Sequence, residues 1–252
     1  MADILTSLSG TQIAVLIISA ILVGINKTAV PGLGVIPVML LASTFETRLS
    51  TGLQLGMIAI CDLMAVAWYR KGADWKFILR LLPWALVGLV IGSGILYLIP
   101  SDDTVLMRRL IGAIVLVLAI ISFIKSRIDP DKIPSGTGAA AFFGRLMGTT
   151  TQLANAAGPV SSIYLLAMKF DKAKYMGTAA WFFLIVNWIK VPIFTLEGRI
   201  TMQSVMIDLA LIPVMVIGAV LGILLFRKIP QKVFDGIIQV FVVATAIKML
   251  FF

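Results

Sequence analysis

The residues of this chain best suited to chemistry lie in two short polar breaks within apolar stretches. One is Asn26-Lys27-Thr28-Ala29-Val30-Pro31-Gly32-Leu33-Gly34; the other is Thr149-Thr150-Thr151-Gln152 running on to Asn155-Ala156-Ala157-Gly158-Pro159. Pro31 and Pro159 each suit the first turn of a helix, where a missing N–H is no loss. Gly32, Gly34 and Gly158 let the backbone approach a ligand closely. A helix starting there directs free N–H groups and its positive dipole end at an anion. Lys27 adds a full charge, and Asn26, Thr28, Thr150, Thr151, Gln152 and Asn155 add neutral polar groups. Binding a small carboxylate or sulfonate is the chemistry these positions suggest. Plainer roles stand beside it: a lysine at a helix end also suits snorkelling to headgroups, and threonines also bond between packed membrane helices.

Asn187 and Lys190, one turn apart on a helix face, join the candidate set, with Lys190 either facing a cavity or snorkelling outward. Asp62 falls near the middle of its apolar run and is a coupling candidate. It is either a proton carrier or the counterion of Lys27 or Lys190. Asp208 is a weaker candidate. Histidine is absent, which removes Ser-His and Cys-His catalysis, histidine zinc sites and histidine-ligated haem. Asp62 and Asp208 lie outside the Gly-x-Gly-Asp and Tyr-Asp settings of intramembrane aspartyl proteases. No catalytic residue, metal site or cofactor is therefore expected. The chain has no phosphate-binding Gly-x-x-x-x-Gly-Lys-Ser/Thr signature, so ATP is not the expected energy source. Cys61, the one cysteine, reads as a buried structural thiol.

The elements that carry these residues are membrane helices. With 60% hydrophobic and 13% charged residues and a mean hydropathy of +1.05, the 252-residue chain lacks the polar surface of a soluble domain and reads as an all-α polytopic membrane protein. No cleavable leader is expected, because the first apolar run lacks a basic flank and a small-residue cleavage site. The net charge of +9 sits in short loops, where it orients the chain in a bilayer; nucleic acid is not an expected partner. Apolar segments span 11–26, 30–45, 49–69, 77–99 and 106–125, then 138–153, 159–170, 175–195, 202–226 and 233–250. A full crossing takes ~20 residues, so each set reads as a short broken or hairpin pair followed by three spans.

The two sets align. An offset of 125 places Leu165-Leu166-Ala167 on Leu40-Leu41-Ala42, Gly177 on Gly52 and Asn187 on Asp62; an offset of 130 places Pro213 on Pro83, Gly218 on Gly88 and Gly222 on Gly92. Helix breakers carry positional meaning, so the match indicates an internal duplication. Loop charge sets its sense. If each short pair crosses twice or not at all, the basic residues of 70–80, 125–132, 169–174 and 227–232 collect on one side, against Arg48, Arg108, Arg109, Arg199 and Lys248. A single crossing per pair erases that bias. Positive-inside therefore predicts an odd crossing count and inverted repeats at 1–125 and 138–252, joined by a cytoplasmic linker at 126–137. Both termini are then outside, and whether the short pairs are re-entrant or fully crossing stays open.

Gly24-Ile25-Asn26-Lys27-Thr28-Ala29-Val30-Pro31-Gly32-Leu33-Gly34, Asn155-Ala156-Ala157-Gly158-Pro159 and Asn187-Trp188-Ile189-Lys190-Val191-Pro192 resemble signatures of the TauE/SafE family of sulfite and organosulfonate exporters. The resemblance covers nearly the whole chain. It implies a bacterial plasma-membrane permease for small organic or inorganic anions such as sulfite or organosulfonates. The expected mechanism is alternating access around a mid-membrane site, with a proton or another ion as coupling partner. A passive anion channel and a membrane enzyme are the alternatives. Monomer and homodimer both remain open.

Overall fold

The computed structural model describes residues 8–29, 34–99, scattered positions between 105 and 120, 136–168, 170 and 172–226. These residues form helices and connecting turns, and no strand occurs among them. In chain order the helices are α1 (Gly10–Thr28), α2 (Val35–Thr44), α3 (Thr47–Tyr69), α4 (Trp75–Tyr97), α5 (Thr137–Ala154), α6 (Gly158–Ala167), α7 (Lys172–Leu196), α8 (Met202–Ala210) and α9 (Ile212–Phe226). Among the described residues, 4 helices are long and apolar enough to cross a membrane (α1, α3, α4 and α7), or 5 if the bent pair α8–α9 counts as one span. Large apolar side chains such as Leu79, Val90 and Val216 are exposed on the outside while Asp62, Asn187 and Lys190 are buried. That distribution suits a lipid surround.

Local chemistry sets the helix ends and corrects three expectations. The first apolar segment is not short. Ser9 and Gln12 form a reciprocal capping box, which starts α1 early and gives it 19 residues. The second helix does not begin beside Pro31: α2 starts at Val35, and Pro37 is the proline in its first turn. The segment 202–226 is not one straight span. It bends by 52° between α8 and α9, where Pro213 lacks the N–H that would bond residue 209 and its ring crowds that carbonyl. Pro83 and Pro192, by contrast, lie within unbroken helices.

Packing interleaves the two halves of the sequence. One apolar core joins α2, α4, α5, α6 and α7, and a second joins α1, α2, α3, α8 and α9. Where α4 crosses α5 and α1 crosses α9, backbones touch with no room for a Cβ: Gly148 lies on Ala85 and Gly88, and Gly218 on Ile21. Small residues permit such close approach between membrane helices. The helices α3 and α7 run antiparallel. Gly52, near the start of α3, packs on the Arg199 backbone beyond the end of α7, and Gly177, near the start of α7, packs on Tyr69 and Gly72 at the end of α3. Midway along this contact Asn187 meets Asp62, the residue aligned with it at the 125 offset.

Candidate binding cavity

Six of these helices, α1, α2, α3, α5, α6 and α7, surround a cavity of about 60 Å³. One water needs ~15 Å³ on this measure, so there is room for several waters or one small oxyanion. Its polar wall is Asn26 and Lys27 from the last turn of α1, Asp62 from α3, Asn187 from α7, and Thr151 and Asn155 from the end of α5. Gly34 with Val35, and Ala156, Ala157 and Gly158, bring in the N-terminal ends of α2 and α6. The rest is apolar, including Val23, Ile58, Ala65, Met176 and Phe183.

Lys27 is paired. Its Nζ lies 2.7 Å from Asp62 Oδ1 and 4.7 Å from the Phe183 ring centroid. Asn187 Nδ2 donates to Asp62 Oδ2 at 2.6 Å, so the carboxylate is held from both sides. Asp62 is fully buried, whereas the Lys27 side chain keeps 10% exposure. A buried ion pair of this kind needs both partners, since removing one strands a charge.

The second break also has a cation, which sequence reasoning did not place there. Lys190 reaches across from α7 and donates to Thr151 O at 2.7 Å, Thr151 Oγ1 at 3.0 Å and Asn155 Oδ1 at 2.5 Å. Three acceptors match the three N–H bonds of an ammonium. No carboxylate pairs with it among the described residues. Lys27 and Lys190 are thus the two basic side chains beside the cavity, and Lys27 is the one matched by a carboxylate, Asp62, among the described residues.

Asn155 ends α5 with φ of 52°, a left-handed conformation that asparagine tolerates better than most non-glycine residues. This turns the chain into α6 and frees the side chain, whose Nδ2 donates to Thr51 O at 2.9 Å and lies 3.4 Å from Gln54 Oε1. Gln54 Nε2 in turn donates to Gly34 O at 3.1 Å, and Gly34 N–H donates to Asn26 Oδ1 at 2.9 Å. Gln54 is therefore bonded to the first break through Gly34 and lies beside the second at Asn155. Sequence reasoning passed over Gln54, although a glutamine inside an apolar span is itself a signal for a polar contact.

The sequence-derived candidates divide. Asn26, Lys27, Gly34, Asp62, Thr151, Asn155, Gly158 and Asn187 line the cavity. Lys190 is buried behind Thr151 and Asn155. Thr28 turns away, its Oγ1 donating to Gly24 O and Ala219 O where α1 crosses α9. Thr150 bonds back within its own helix. Gln152 bonds Ser93 and Glu197 in a cluster completed by the Arg199–Glu197 ion pair. Gly32 lies outside the described residues. Asp208 packs against Gly56, away from the cavity wall. Among the described residues no cluster of His, Cys, Asp or Glu suits a metal.

A family model described as Sulfite exporter TauE/SafE matches residues 16–249. No curated protein and no solved structure matches the chain.

Proposed function

The chain belongs to the sulfite exporter TauE/SafE family, and from that premise we propose that it is a secondary transporter exporting small anions, sulfite or organosulfonates, by alternating access. The observation that carries this reading is the convergence on one cavity of Lys27, the N-terminal ends of α2 and α6 and, behind them, Lys190. Lys27 and the helix ends are sources of positive potential, which suits a monoanion. Lys27 supplies the direct charge, Asn26, Thr151, Asn155 and Asn187 orient the oxyanion, and Gly34 and Gly158 keep the backbone close. Lys190 holds the second break in shape.

Inverted repeats at 1–125 and 138–252, joined by a cytoplasmic linker at 126–137, complete the proposal. The antiparallel contact of α3 with α7, the equivalent helices of the two halves, supports it, as does the exchange by which α4 packs on α5 and α9 on α1. Loop charge then puts both termini outside a bacterial plasma membrane. The cavity's apolar wall extends through Ala65 and Met176 toward the end where Arg70, Lys71 and Lys174 lie, which is the cytoplasmic side in this orientation. Toward the opposite end Gln152, Ser93, Glu197 and Arg199 bond to one another.

Counterflow tests the proposal. Purified protein in proteoliposomes preloaded with sulfite is expected to take up labelled sulfite saturably, and Lys27→Ala to lose that uptake. Non-saturating flux without counterflow would replace the carrier with a channel. Full uptake by Lys27→Ala would remove the cavity from the pathway.

A further inference from the structure

Among the described residues, Lys27 is the one cation that both lines the cavity and touches a carboxylate. An anion cannot use it without regard to Asp62. Two of its three N–H bonds remain after the contact with Asp62 Oδ1, but an oxyanion accepting from them would sit within roughly 5 Å of that carboxylate, the span of two charge-assisted hydrogen bonds through one ammonium. Swinging Asp62 away does not relieve the conflict. Its Oδ2 is held by Asn187, it is fully buried, and an ionised carboxylate stripped of its partner there is strongly disfavoured.

Resting on the anion-transport reading, we infer that Asp62 is a proton-binding site, and that one proton enters on its Oδ1 as one anion takes over Lys27. The protonated carboxyl keeps Oδ2 as acceptor for Asn187 and releases the Lys27 ammonium to the anion. No covalent bond to the anion forms or breaks. The proton comes from water and returns to water when the anion leaves. Anion and proton then cross together as a neutral pair, with Lys27 staying on the protein throughout, so export runs on the anion's own outward gradient and an inward proton gradient opposes it. The charged groups facing Asp62 from its packed neighbours are Lys27 on α1 and Lys190 on α7, with Asp208 on α8 lying against Gly56 further along α3. Lys190 is held by Thr151 and Asn155 in the closed network, so the exchangeable contact is the Lys27–Asp62 pair.

Methanesulfonate is the probe, because it remains a monoanion across the pH range where sulfite itself titrates. Added to lightly buffered wild-type protein in detergent, it is expected to draw up to one proton from solution per anion bound. Its apparent affinity falls up to about tenfold per unit of rising pH. In proteoliposomes a proton gradient drives its accumulation, and clamping the membrane potential leaves the flux unchanged. Asp62→Asn, which imitates the protonated carboxyl, is expected to bind and exchange methanesulfonate with pH-independent affinity and to lose the gradient-driven accumulation. Binding by wild type without proton uptake, or full gradient response in Asp62→Asn, overturns the proton site and leaves the anion site standing. Absence of binding and exchange of both methanesulfonate and sulfite by wild type overturns both. If Asp62→Asn fails to fold, the proton count on wild type decides.

Discussion

Replacing Asn155 separates the two jobs the structure gives it. Asn155→Gly keeps the left-handed backbone and deletes the side chain, removing an acceptor from Lys190 and a donor from Thr51 O. A hydrogen bond to a charged group is worth ~1.5–3 kcal/mol and a neutral one ~1 kcal/mol. The 3.4 Å approach to Gln54 is too long to count for much. The loss is therefore about 2.5–4 kcal/mol. Asn155→Ala loses the same bonds and adds roughly 1–2 kcal/mol for holding a Cβ at positive φ. Alanine should thus be worse than glycine, the reverse of their order in a helix interior. Thermal unfolding in detergent, followed by tryptophan fluorescence, should place Asn155→Ala below Asn155→Gly by roughly 2–4 °C per kcal/mol. Asn155→Asp supplies the third arm. It keeps an acceptor for Lys190 but brings a negative charge to the cavity wall, repelling an anion at ~5 Å by about 3 kcal/mol at an effective dielectric of 20. Methanesulfonate binding by calorimetry should fall about a hundredfold with less loss of stability than in Asn155→Ala. Equal or greater stability of Asn155→Ala over Asn155→Gly would refute the left-handed cap. Unchanged anion affinity in Asn155→Asp would refute its place beside the anion.

Lys27→Ala strands the Asp62 carboxylate and should cost about 3–5 kcal/mol; adding Asp62→Asn should recover much of the stability but none of the anion binding, and a double variant no more stable than Lys27→Ala would contradict the ion pair. Gly148→Leu, placed where α5 lies on Ala85 and Gly88, should lower the folded yield far more than Gly138→Leu, where a Cβ meets nothing within 4 Å; size-exclusion profiles of the two report this. In a Cys61→Ala background, Glu46→Cys and Lys71→Cys, at opposite ends of α3, should label from outside and inside respectively, and labelling of Lys71→Cys from outside would reverse the orientation. At the α4 start, Lys174 2.8 Å from Asp74 and the Phe77 N–H hold the Asp74 carboxyl below its ordinary value. A depressed carboxyl stabilises the fold above its unfolded pKa of ~3.9 and loses that contribution as pH falls through the folded value. Melting temperature should therefore drop below about pH 4 in wild type by more than in Asp74→Asn; equal drops would dismiss the pair.

Much of the architecture was legible because a bilayer imposes one-dimensional rules. Apolar length, the spacing of proline and glycine, and the side on which basic loops fall can each be read along the chain, and they led to an all-helical protein with two broken regions. The candidate residues were legible for a related reason. Polar groups inside apolar runs are costly without a role, so Asn26, Lys27, Asp62, Asn155 and Asn187 stood out. Thr28, Thr150 and Gln152 stood out equally, yet they bond helix backbones or the Ser93–Glu197 cluster. Which way a threonine turns on a helix is a matter of rotation against its neighbours, and spacing within one segment does not carry it.

What composition and periodicity determined, then, was that the chain is all-helical and built for a membrane and that two polar breaks interrupt its apolar runs; the matching halves and the anion site are readings built on those breaks. Only the tertiary structure decided how their charges balance. From the chain, Lys27 looked like the cation of an otherwise neutral pair of breaks. In the fold Lys27 is neutralised by Asp62 while Lys190, distant in sequence from both breaks, is delivered by α7 to Thr151 and Asn155. The reason is physical: a buried charge takes its meaning from whatever lies within a few ångströms of it, and those neighbours are set by the crossing of helices far apart in the sequence.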